Sequence, residues 1–183
     1  MALIGGDGAA MPFASAVFDL IVSNLGINNF ADARGVLREC ARVLRPGGRL
    51  ALTTTLRGHM AEFYTVYAGV LRDASHADLL PALEAHIGGH TTVAAARAML
   101  EEADLTVTDV YEQTFSLRYV DGSALLRHSF IRTAFMEGWR EFLPPAEAVT
   151  ILRRLEAALN HLAAREGELR LTVPLAYLES VKG

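Results

Sequence analysis

Ala16-Val17-Phe18-Asp19-Leu20-Ile21-Val22-Ser23-Asn24, followed after a helical stretch by Arg45-Pro46-Gly47-Gly48-Arg49-Leu50, decides how the rest of the sequence is read. The first segment is a nearly continuous apolar run, the pattern of a strand covered on both faces in a parallel sheet. From Ala31 to Leu44 the period changes. Val36, Leu37, Cys40, Val43 and Leu44 recur at three- and four-residue spacing, while Arg38, Glu39 and Arg42 fall mostly off that face. Proline cannot continue a helix, and glycine accepts the left-handed backbone of a helix end. Arg45-Pro46-Gly47-Gly48 therefore predicts a stop, with Leu50 to Thr54 restarting an extended run. Strand, helix, stop and strand over about 40 residues predict a right-handed βαβ unit.

A chain of 183 residues is long enough for a real core and predicts a single domain over 1–183. With 51% apolar residues it is not a disordered sequence. A net charge of −4 argues against a nucleic-acid binder, because neutralising phosphates needs a basic face. No apolar run reaches the roughly 18–20 residues that span a bilayer. No basic segment leads into a hydrophobic leader either, so neither a membrane partner nor export is expected and the location predicted is cytoplasmic. Cys40, the one cysteine, excludes an internal disulfide framework and a cysteine-rich zinc site. Its place on the apolar helix face predicts a core thiol.

Toward the front, Gly5-Gly6-Asp7-Gly8 reads as a tight turn, lacking the strand–loop–helix context of a dinucleotide fingerprint. Helices are predicted over Arg57 to Ala74, Asp78 to His86 and Thr92 to Ala103, the last opened by a threonine cap. Leu105 to Val120 alternates and is rich in Val, Thr, Tyr and Phe, which predicts a long strand. After the Asp121-Gly122 turn, one helix is expected over Ser123 to Glu137. A second, amphipathic helix follows Pro144-Pro145 over Ala146 to Arg165 and is closed by Glu166-Gly167, and Leu169 to Val181 makes a final strand. The sum is an α/β fold with helical excursions at about 57–91 and 123–165. His86 and His90 have i, i+4 metal-ligand spacing, but Gly88-Gly89 breaks the helix that would align them, so no metal site is expected.

Three groups of residues together resemble the class I S-adenosylmethionine-dependent methyltransferases, nearest the small-molecule type-11 branch. They are Gly6-Asp7 with Met11-Pro12-Phe13, the strand Phe18-Asp19-Leu20-Ile21-Val22-Ser23-Asn24, and Arg38-Glu39-Cys40-Ala41-Arg42-Val43-Leu44-Arg45-Pro46-Gly47-Gly48-Arg49-Leu50. Thr92 to Leu105, Trp139 and Leu171-Thr172-Val173-Pro174 are similar to the remainder of that domain, so the likeness covers nearly the whole chain. The resemblance implies a Rossmann-like sheet in which this chain supplies the equivalents of strands 4-5-7-6, the last antiparallel. It also implies that the family's glycine-rich cofactor loop and the acidic residue that holds the ribose have no counterpart in this sequence. Asp104 stands where the family turns on glycine and is therefore expected to take a left-handed conformation.

By that resemblance, Asp7, with Gly8 beside it, matches the acceptor for the adenine amino group, and Met11 and Phe13 lie near the adenine. Ser23, Asn24 and Leu25 match the strand end next to the reactive sulfonium. Two plainer readings stay open: Asp7 as an ordinary turn aspartate and Asn24 as a strand-end residue serving local backbone. On the substrate side, His59, Tyr64, Tyr67 and His128 are the groups that could take a proton from an acceptor, and each also reads as a packing or helix-surface residue. Tyr119 and Trp139 read as core. The helical excursions carry few charges, which favours an apolar or acyl-type acceptor.

Two functions follow. One is an S-adenosylmethionine-dependent methyltransferase, or its C-terminal portion, acting on a small organic acceptor. The other is a non-catalytic scaffold of the same lineage. In either case the edge of the first strand, Val17 to Val22, is expected to be open and apolar, a template for another chain. Its expected partner is a second copy, giving a two-fold homodimer, or a separate polypeptide carrying the absent half.

Overall fold

The computed structural model describes residues 3–183. Its strands form one four-stranded sheet in the order β1-β2-β4-β3, with β1 at Phe18–Asn24, β2 at Leu44–Thr55, β3 at Leu105–Tyr119 and β4 at Leu169–Lys182. β1 and β2 are parallel, with Ile21 beside Leu50 and Asn24 beside Thr53. β4 runs antiparallel to β2, setting Leu178 against Leu52. This is the 4-5-7-6 arrangement the sequence predicts, reversed strand included. Among the described residues no helix is long and apolar enough to cross a membrane.

The described residues group into two compact units. The sheet unit comprises Met1–Arg57, His90–Gln113 and Pro174–Gly183. Its crossover helix α1, Ala33–Val43, is opened by the Asp32 carboxylate, which accepts the Gly35 N–H at 2.8 Å. α1 buries Val36, Leu37, Cys40 and Ala41 against Leu50 and Leu52, together with Ala96 and Leu100 of α4 (Val93–Glu101). Thr92 caps α4 by accepting the Ala95 N–H at 3.2 Å. Asp104 follows with φ +59, the left-handed turn expected of it. Burial pushes the Cys40 thiol up to about 11, so it packs as a small hydrophobe.

Two expectations for this unit need correction. β2 does not wait for Leu50: it starts at Leu44, directly from α1, and Arg45 to Gly48 form an irregularity between the Phe18 and Leu20 pairings. Gly47 supplies φ +75 there, and a Cβ on Gly48 would lie 2.9 Å from the Arg45 carbonyl oxygen, so the glycines shape a bulge instead of only ending a helix. Nor is β1 covered on both faces. Leu20 is 57% exposed and Val22 68%; among the described residues β2 is the one strand paired with β1, and it is Phe18 and Ile21 that pack on the core.

The helical unit comprises Gly58–Gly89 and Thr114–Val173. α2 (Ala61–Asp73), α3 (Leu80–Gly88) and the long α8 (Ala148–Glu166) surround Phe63, Tyr67, Leu71, Leu155 and Trp139, all fully buried. The single helix expected over Ser123 to Glu137 is three short ones: α5 (Gly122–Arg127), α6 (Ser129–Ala134) and α7 (Met136–Arg140). His128 (ψ 128) and Phe135 (φ −126) leave helical geometry, and the His128 N–H bonds back to Leu125 O at 3.1 Å, closing α5. α5 lies so close to α8 that a Cβ on Gly122 would come within 2.4 Å of Leu159 Cβ. Gly167, at φ +87, ends α8 as predicted.

Candidate functional site

The carboxyl ends of β1 and β2 carry a small polar network within the sheet unit. β1 leaves the sheet at Leu25, which takes φ +57, a left-handed conformation that a leucine holds only when its surroundings enforce it. The Leu25 N–H donates to both the carbonyl (3.2 Å) and the hydroxyl (3.0 Å) of Thr53. That hydroxyl donates in turn to Asn24 Oδ1 at 2.6 Å. One turn on, Asn28 bridges two more threonines. Its Nδ2 donates to Thr55 Oγ1, and its Oδ1 accepts from the fully buried Thr54. Thr55 Oγ1 also lies 3.4 Å from His90 Nδ1. Ser23 packs against the turn, where a Cβ on Gly26 would sit 2.6 Å from its hydroxyl oxygen.

This placement follows a general rule: in open α/β sheets, ligands lie outside the carboxyl ends of parallel strands. The groups gathered there are hydroxyls and carboxamides. Such groups can orient a polar ligand without adding charge. Ser23, Asn24 and Leu25, the expected strand-end residues, stand beside this network. Asn28 and the Thr53-Thr54-Thr55 run were not singled out from sequence. The available signal was three consecutive hydroxyl residues ending a strand that buries Leu44, Leu50 and Leu52.

The segment from Asp7 to Phe13 is held to α1 by a charge-assisted clamp. Glu39 Oε2 accepts the Met11 N–H at 2.9 Å. Arg42 donates to Glu39 at 2.6 and 2.8 Å, and reaches Met11 O at 3.1 Å and Phe13 O at 2.9 Å. The Arg42 hydrogen bond holds the Glu39 carboxyl down at about 2. The expected positions Met11 and Phe13 thus have fixed backbones, and the Phe13 ring meets Phe18 edge-on at 5.0 Å. Asp7 is exposed and turns the chain, with Oδ1 accepting Ala9 N–H at 2.9 Å and its carbonyl accepting Ala10 N–H at 3.1 Å. The plain turn reading describes that oxygen, while the second carboxylate oxygen is a further acceptor. Gly8 abuts Val36, whose Cγ2 would be 3.2 Å from an added Cβ.

The four substrate-side residues all fall in the helical unit. His59 is 4% exposed and stacks on Phe135 at 5.7 Å. Tyr64 Oη accepts the Trp139 indole N–H at 3.2 Å and lies 3.2 Å from His86 Nε2. The Tyr67 hydroxyl donates to Trp139 O at 2.7 Å. Burial pushes both phenols further above their ordinary range. His128 is exposed and meets Tyr119 edge-on. Most of the aromatic residues in the helical excursions are spent on this unit's own core. They therefore say little about an acceptor.

Comparison with known proteins adds lineage to this geometry. The methyltransferase domain family matches residues 1–52. The demethylmenaquinone methyltransferase of Mycolicibacterium paratuberculosis is 42% identical over 71 residues, an alignment covering 39% of this chain and 31% of that protein. That of Corynebacterium kroppenstedtii is 40% identical over 72 residues, again 39% and 31%. The chain thus aligns with about a third of the length of these relatives. Among solved structures, the YcgJ protein of Bacillus subtilis superposes with a TM-score of 0.54 at 18% identity, covering 97% of this chain and 69% of that one. A Bacillus halodurans protein assigned as a methyltransferase gives 0.54 at 14% identity with the same coverage. At such identities the likeness is one of fold.

Proposed function

We propose that this chain, whose residues 1–52 match the methyltransferase domain family, takes part in S-adenosylmethionine-dependent methyl transfer to a small organic acceptor. The observation that carries this reading is the polar network at the carboxyl ends of the parallel pair β1 and β2, which the start of the Asp7 to Phe13 segment approaches through Phe30, whose ring faces both Gly8 and Gly26. The donor set fits one side of the cofactor. The outer oxygen of Asp7 suits an exocyclic amine, Met11 and Phe13 suit an aromatic base, and Ser23, Asn24 and Leu25 present neutral polar groups beside a cation. S-adenosylmethionine would supply the electrophilic methyl group. The chain's own part is to orient it and exclude water. A base is needed only if the acceptor must lose a proton.

The ribose and methionine parts of such a cofactor call for further groups, and the edge of β1 is where a sheet can grow to supply them. We assign that edge to a polypeptide bearing the glycine-rich loop, adding a strand beside Val17 to Val22. Calorimetric titration with S-adenosylhomocysteine tests this directly. The chain alone should give no heat at millimolar ligand, and addition of the amino-terminal portion of the M. paratuberculosis relative should bring binding into the micromolar range. No binding in either sample would leave the scaffold reading. The exposed Leu20 and Val22 give that reading its own support. Antiparallel pairing of two β1 strands about Ile21 would set Leu20 opposite Val22 of the partner subunit and Asp19 opposite Ser23, with no like charges in register. A stable dimer in sedimentation, broken by Val22→Asp, would select it.

A further inference from the structure

The helical unit contains a hydrogen-bond chain, buried at Trp139 and Tyr64 and half-buried at His86, that the proposed methyl transfer does not use. Trp139 Nε1, Tyr64 Oη and His86 Nε2 lie in sequence, each 3.2 Å from the next. Donor bookkeeping gives this chain a direction. An indole N–H can only donate, so the Tyr64 oxygen accepts from Trp139. The phenol's own proton then needs an acceptor, because Tyr64 is only 3% exposed. The neutral Nε2 of His86 is within reach, which puts the imidazole proton on Nδ1. The three residues come from three helices: Tyr64 from α2, His86 from α3 and Trp139 from α7.

We infer that His86 is a proton-controlled latch. Neutral, it accepts the Tyr64 hydroxyl proton and ties α3 to α2 and, through Trp139, to α7; protonated at Nε2, it cannot accept, and the tie opens. An imidazolium there leaves Tyr64 facing two N–H donors with its own buried proton unplaced.

The surroundings favour the neutral ring. Phe142 stands 6.2 Å away by ring centroid, and Gly138 packs so closely that an added Cβ would be 3.0 Å from His86 Cε1. The titratable group on the α2 side is Tyr64 itself. On the α7 side it is Glu141, whose charge favours the imidazolium but is outweighed by burial, so the ring ionises below its ordinary range. The sign follows. The folded state binds the proton less readily than the unfolded chain does, so the latch's contribution is complete above an unfolded pKa of about 6.5 and is lost as pH falls below it.

Trp139 is the only tryptophan, so its fluorescence reads this site alone. On the intact chain, its emission and near-ultraviolet dichroism should change in one reversible transition with a midpoint below 6.5. Between pH 7.5 and 5.5 the melting temperature should fall further in the wild type than in His86→Gln. In His86→Gln the carboxamide oxygen accepts the same proton and never titrates, so the transition should vanish while the other five of the six histidines remain. A wild-type signal flat from pH 8 to 5, or an unchanged transition in His86→Gln, overturns the latch. If His86→Gln does not fold, proton NMR of the His86 ring in Tyr64→Phe decides. Loss of the donated hydrogen bond should raise its titration midpoint, and an unmoved midpoint overturns the assignment.

Discussion

The two units solve the same problem, hiding apolar surface, with different degrees of completion. In the helical unit, Phe63 stacks on Trp139 at 4.1 Å, Tyr67 and Tyr64 find polar partners for their hydroxyls, and Leu71, Leu83, Leu125 and Leu155 are essentially inaccessible. In the sheet unit, α1 and α4 bury Leu50, Leu52 and Leu100 equally well, yet Leu20 and Val22 stay open on the strand that carries the methyltransferase signature. The helical unit is finished by its own side chains, whereas β1 has one hydrogen-bonded neighbour and an apolar face still to cover.

The sharpest way to break this contrast is to damage each finished core. Trp139→Ala should cost about 3–5 kcal/mol in urea denaturation, since it removes the largest ring of a closed cluster. Leu52→Ala should cost about 2–4 kcal/mol in the sheet unit. Equal and small losses at both sites would deny that either core is well packed. A local effect comes next. Glu39 is held down at about 2, below the 4.5 of a free carboxyl, so the contribution of its clamp is complete above about pH 4.5 and is lost toward pH 2. Hydrogen exchange should show Met11 amide protection falling over that range, and absent at any pH in Glu39→Ala. Asp104→Gly should stabilise by about 0.5 kcal/mol, because it relieves φ +59 at a non-glycine residue. Smallest of all, Leu20→Ser and Val22→Ser should change the stability of the isolated chain by less than about 0.5 kcal/mol. They should nevertheless abolish any pairing along β1.

Much of the fold was legible because period and punctuation agreed. The threonine at 92, the glycine at 167 and the alternation from Leu105 set boundaries that the structure keeps within a few residues. The misses have physical causes. Gly47 and Gly48 suit a helix stop and a strand bulge equally, and only the approach of the Phe18 and Arg45 carbonyls distinguishes them. The breaks at His128 and Phe135 carry no proline or glycine, so the pattern of Leu125, Leu126 and Phe130 read as one helix. An apolar strand looks the same whether a neighbour covers it or not, which is why exposure of Val22 could not be read from its run. At the site, Ser23 to Leu25 came from motif position. The Thr53–Asn24 and Thr55–Asn28 bonds depend on parallel register, a long-range property that one sequence does not print.

The most direct test is calorimetry with S-adenosylhomocysteine on the chain alone and on the chain mixed with a polypeptide that carries the glycine-rich loop. The account predicts no heat in the first sample, micromolar binding in the second, and loss of that binding when Val22→Asp blocks the edge of β1. Micromolar binding by the unaided chain, or binding in the mixture that survives Val22→Asp, would contradict it.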